Sequence, residues 1–193
     1  MASFDRIKQN WVYGGALAGV LLLLLAPVLV TDWDLAATLG YLALPVYMLH
    51  QFEEHDDDRF RRFVNAVIGH GREALSVTAV FWINFAGVWL LLGAVLWAVR
   101  LLGPGWVAAA GWLILLNGLL HMAQGVALRR YNPGLATAIL LFLPFGLTTL
   151  ATAWPLATGA VFWSSFALAV AVHAGIVVHV RRALTHAPRG ATT

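Results

Sequence analysis

Between Val12 and Val30 the chain is almost wholly apolar, the polar "TDWD" then breaks the run, and long apolar runs alternate with short polar breaks to the end. Six runs result: 12–30, 35–54, 75–99, 106–128, 135–153 and 155–180. About 20 residues of helix cross a ~30 Å hydrocarbon core, whereas barrel strands are shorter and alternate in polarity. The pattern therefore predicts an all-α fold, a polytopic transmembrane helical bundle of six spans in one domain, 1–193. Its breaks carry turn chemistry. "GPG" at 103–105 separates the third and fourth runs, and in "YNPG" at 131–134 Pro fixes φ while Gly permits a positive one. Pro144 is placed to kink the fifth run. The polar stretch after the second run predicts an interfacial segment over 58–72, with Phe60, Phe63, Val64 and Val67 on one face.

Composition agrees with the pattern. The 193 residues are 61% hydrophobic and 11% charged, against about 25% charged in soluble domains. With no cysteine, disulfides and thiolate sites are excluded, and any metal must be held by nitrogen and oxygen. An even number of spans puts both termini on one side. That side would hold Arg6, Lys8, Arg59, Arg61, Arg62, Arg72, Arg129, Arg130, Arg181, Arg182 and Arg189, and the other only Arg100. The bias predicts cytoplasmic N- and C-termini in a bacterial inner (cytoplasmic) membrane. The net charge of +3 then reflects topology and anionic headgroups, so membrane lipid is an expected partner and nucleic acid is not. Trp11, Trp33, Trp106 and Trp154 fall where interfacial anchors belong.

Chemistry concentrates at "YMLHQFEEHDDD", residues 47–58. His50 and Glu54 are four apart and share a helix face, with Glu53 beside them. Counting back at 1.5 Å per residue from the cytoplasmic ends brings His50, His121, His173 and Asn84 to one layer. Asn117, His121 and Gln124 form a stripe on the fourth span; Glu73, Ser76, Val80 and Asn84 form one on the third. Polar stripes in membrane helices face the bundle interior, because a central charge costs about 2.5–3.5 kcal/mol even on the mild insertion scale. The trailing His55, Asp56, Asp57 and Asp58 read as a solvated cap paired with Arg59, Arg61 or Arg62.

"HQFEE" resembles the defining motif of the HXXEE family of small bacterial membrane proteins, whose function is not established. The Asn/His helix and the "YNPG" turn are similar to that family too. The resemblance implies a functional role for His50, Glu53 and Glu54 and supplies no reaction.

The residues themselves suggest a metal site. His50, Glu54, His121 and His173 are the expected ligands of one or two divalent ions, zinc or iron, since both accept this donor set. Glu53 is the expected acid/base or second carboxylate, with Asn84 and Asn117 as hydrogen bonders to substrate. The expected activity is that of a membrane-embedded metal-dependent hydrolase or isomerase; an oxidoreductase stays open, although the full His-rich set of a membrane fatty-acid hydroxylase is absent. It would act on a lipid-like or isoprenoid-like hydrophobic small molecule from the cytoplasmic side, by metal-activated water or Glu chemistry. Two alternatives use the same residues: an ion or proton relay in a small transporter, and a metal-free acid/base isomerase or cyclase. The missing inverted repeat and the one-sided cluster weigh against transport.

Overall fold

The computed structural model describes residues 3–186, among which all regular structure is helical. Helix α1 is Ser3–Leu29 and α2 is Leu35–His55. A 3-10 turn, Asp56–Asp58, leads into the short α3, Arg59–Phe63, whose end widens into a π turn, Val64–Ile68. Helices α4, Val77–Leu101, and α5, Pro104–Leu128, follow; then come α6, Leu135–Ala153, and α7, Gly159–His186. Five helices are long and apolar enough to cross a bilayer: α1, α4, α5, α6 and α7 over Gly159–Thr185. Helix α2 has a similar length, 21 residues, but His50, Gln51, Glu53, Glu54 and His55 crowd its last two turns and lower its apolarity.

Local chemistry sets the boundaries. Asp34 caps α2 by accepting from the Ala37 amide at 2.7 Å, and Ser76 caps α4 through Ala79 at 3.2 Å. The last run begins as a helix only at Gly159, after a turn containing Pro155, with Thr158 accepting from the Val161 amide. Pro144 lies just beyond a π turn, Ala138–Phe142, which absorbs the ladder break a proline makes.

Two helices organise the packing. Helix α2 is central to one half, against α1, α4, α5 and α6; α5 is central to the other, against α6 and α7. Close approach of α5 and α6 depends on small residues, since a Cβ on Gly146 would stand 2.9 Å from that of Leu115, and one on Gly118 3.2 Å from that of Phe142. The segment after α2 is held in place: Asn65 accepts from the amides of Ala74 and Leu75 and donates to the Leu75 carbonyl. Phe60, Phe63 and Val64 pack on a cluster containing Val80 and Phe81. Asp57 and Asp58 pair with Arg62 and Arg61 at 2.6 and 2.5 Å. Trp11 differs from the anchor its position suggests. It is buried edge-on against His55 and Trp89, because the apolar runs alone do not reveal which face of α1 meets the bundle.

Candidate functional site

The last two turns of α2 present Tyr47, His50, Gln51, Glu54 and His55 to the interior. His50 and Glu54 are one turn apart, and α5 brings His121 to the same point. The Glu54 carboxylate lies between imidazoles. His121 Nε2 stands 3.3 Å from Oε1, His50 Nε2 3.6 Å from Oε2 and His55 Nε2 3.1 Å from Oε2. One ligand atom from each of His50, Glu54 and His121 falls within 4.8 Å of the other two, so these three buried residues could hold a metal ion. Two ligands 2.0–2.1 Å from a tetrahedral ion are themselves roughly 3.3 Å apart, which matches the carboxylate–imidazole distances.

Hydrogen bonding fixes which nitrogens are free. His50 Nδ1 meets the Thr137 hydroxyl at 2.8 Å, and that hydroxyl gives its proton to Glu53. Thr137 can therefore only accept from His50, so Nδ1 carries the hydrogen and Nε2 keeps its lone pair. His50 Nε2 is buried and has no hydrogen-bond partner. His121 is held in the same way: Nδ1 donates to Asn132 Oδ1 at 2.8 Å, while Asn132 Nδ2 donates to the His121 carbonyl at 2.9 Å. Two imidazole nitrogens thus face one carboxylate, an arrangement that a metal ion or a proton on either ring could satisfy.

Glu53, one turn from His50 and about 100° around α2 from Glu54, is half-buried, and both its oxygens are engaged. They accept from the Tyr131 hydroxyl, the Ala136 amide at 3.2 Å, the Thr137 amide at 2.7 Å and the Thr137 hydroxyl. A carboxylate there suits the positive end of α6. Partial burial and then Glu53 push the Tyr131 phenol up to about 12. Gly134, at φ +94°, closes the turn directly over the rings: a Cβ there would come within 2.8 Å of His121 and 2.9 Å of His50.

A cavity of about 160 Å³ adjoins the cluster, and Glu54, His121, Asn84, Asn117, Gln124 and His173 all line it. Asn84 accepts from Gln51 Nε2 at 2.7 Å, donates to the Val80 carbonyl at 2.8 Å and approaches His55 Nε2 at 3.4 Å; Gln51 in turn accepts from Trp89. Asn117 Oδ1 is buried without a partner. His173 faces the cavity wall, its Nδ1 on the Ala169 carbonyl at 2.8 Å, and lies outside the three-residue group. His55, expected in the solvated cap, is 5% exposed and touches Glu54. Sequence reasoning also passed over Gln51, Tyr131, Asn132 and Thr137. The signal for Tyr131 and Asn132 is the "YNPG" turn itself, whose similarity to the family extends beyond its backbone role.

No curated protein and no solved structure matches the chain. A family model described as "protein of unknown function with HXXEE motif" matches residues 41–149, from α2 through the YNPG turn to most of α6. His50, Glu53 and Glu54 supply the motif's letters, and the chain belongs to this HXXEE-motif family of unknown function.

Proposed function

We propose that His50, Glu54 and His121 form a divalent metal centre, zinc or iron, in a membrane-embedded enzyme that works by hydrolytic or acid/base chemistry. The observation that carries this reading is His50 Nε2: buried, unpartnered and held as a lone pair by the Thr137–Glu53 relay, 3.6 Å from Glu54. Glu54 and His121 also line the cavity, which leaves room for a fourth, exchangeable position on that side. A bound zinc would lower the pKa of a water there to roughly 7.

The remaining residues have separate tasks. Glu53 has no oxygen free for proton transfer and serves as a positioning residue, fixing the His50 tautomer through Thr137 and tying α2 to α6. Asn132 does the same for His121. Asn84, locked between Gln51 and Val80, shapes the cavity, whereas Asn117 keeps an acceptor free for substrate. His173 would act from across the cavity instead of as a ligand. In the membrane, α2 joins the other five helices as a sixth span, its 21 residues covering roughly 31 Å. Both termini then lie with the basic loops on the cytoplasmic face of the inner membrane.

Elemental analysis of purified protein tests the centre. Wild type should retain zinc or iron through detergent exchange, and Glu54→Gln or His121→Ala should lower occupancy by more than about tenfold. Equal metal in all three would remove these residues from the ligand set.

A further inference from the structure

The cavity beside the cluster is not sealed. Its walls come from α2, α4, α5 and α7, with Phe60 of α3 and Leu75 before α4 closing one end, and among the described residues α4 and α7 share little contact along their lengths. Near one end Arg72, just before α4, donates to the Leu184 carbonyl of α7 at 2.9 Å, and Val180 and Leu184 pack on the cluster that includes Val80 and Phe81. Above that tie the lining becomes apolar and reaches the outer surface: Leu120 of α5 and Val177 of α7 line the cavity and are each 50% exposed. That surface faces hydrocarbon if α4, α5 and α7 cross the bilayer, as their length and apolarity allow.

The two ends of the cavity differ in chemistry. Deep inside lie Glu54, His121 and the unpartnered Asn117 Oδ1; toward the mouth lie Ile83, Ile176 and Val177. An acceptor buried without a partner costs free energy unless a ligand satisfies it, so the deep end suits a hydrogen-bond donor. Size narrows the ligand further. A cavity of ~150 Å³ takes one benzene-sized molecule, so a space of about 160 Å³ holds a head group and the first few carbons of one chain, the rest of that chain lying at the mouth, and has no room for a second chain beside it.

We propose that the cavity takes a single-chain amphiphile from the bilayer, entering sideways between α4 and α7, with a hydroxyl or similar donor head group against Asn117, Glu54 and His121. The assignment of this ligand as substrate rests on the cluster being a reaction centre; the portal itself does not. It goes beyond that reading in naming the route, the number of chains and the head-group chemistry.

The test is photolabelling of the purified full-length protein with a C16 fatty alcohol carrying a mid-chain diazirine, alongside a two-chain phosphatidylcholine carrying the same group. Peptide mapping of wild type should place the alcohol's adducts on Ile83, Leu120, Ile176 or Val177, with the two-chain lipid absent from Ile83 and Ile176. Val177→Trp and, separately, Ile83→Trp should reduce those adducts about tenfold, with bound metal per chain unchanged as the sign of an intact bundle. Adducts spread evenly over the outer faces of α1 and α7, insensitivity to both tryptophans, or equal labelling by the two-chain lipid would each overturn the portal. If the protein holds no metal and the mouth is still labelled, the metal centre fails and the portal stands.

Discussion

Two residues control the site without being candidate ligands. Gly134 sits at φ +94° against both imidazoles, so Gly134→Ala adds a methyl group where no space exists and a conformation that L residues rarely adopt. It should lower metal affinity at least about tenfold, as loss of an outer-shell partner does, and a metal titration of the variant checks this. Thr137→Val removes the acceptor that fixes the His50 tautomer, whereas Thr137→Ser keeps it. Metal retention should be lost in the first and kept in the second; the same titration separates them. Tyr131 offers a spectroscopic handle in alkali. Its phenol is raised, so the stability it contributes is whole below pH ~10 and fades as pH climbs toward about 12. In Glu53→Gln the phenolate absorbance should appear at lower pH than in wild type. Spacing and depth singled out His50, Glu54, His121 and His173 as candidate ligands, because ionisable groups in an apolar run stand out, and the structure groups the first three and leaves His173 outside. It could not display the roles of Glu53 and His55. Adjacent residues on a helix are about 100° apart, and only the tertiary partners decide which of them faces inward.

Among the elements, α6 depends on its first turn. Its free amides at Ala136 and Thr137 end on the Glu53 carboxylate, a cap supplied by another helix. Glu53→Ala should cost on the order of 1–2 kcal/mol, the usual worth of a cap. Thermal unfolding in detergent would check it, and an unchanged midpoint would contradict the cap. The apolar runs located the long helices well, since bilayer thickness imposes length. The π turns in α4 and α6 and the shared glycine face of α5 and α6 were not legible, because they answer to neighbouring helices.

At the scale of the molecule, two packing hubs bring the three candidate ligands from α2 and α5 under a lid made by the YNPG turn. The sequence pointed to a membrane-spanning bundle through composition, and to sidedness through the basic loops. Sidedness can be tested cleanly because the chain has no cysteine. Asp57→Cys and Gly103→Cys should react with an impermeant maleimide from opposite faces, Asp57→Cys from the cytoplasmic one. Labelling of both from one face would contradict six spans.

The central claim is the ion between His50, Glu54 and His121, and X-ray absorption at the metal edge of the purified protein tests it most directly. The expected spectrum has a shell of nitrogen and oxygen at about 2.0–2.1 Å with the outer-shell scattering of two imidazoles, and His50→Ala should remove one imidazole from it. A protein without metal, or a spectrum with no imidazole scattering, would contradict the account.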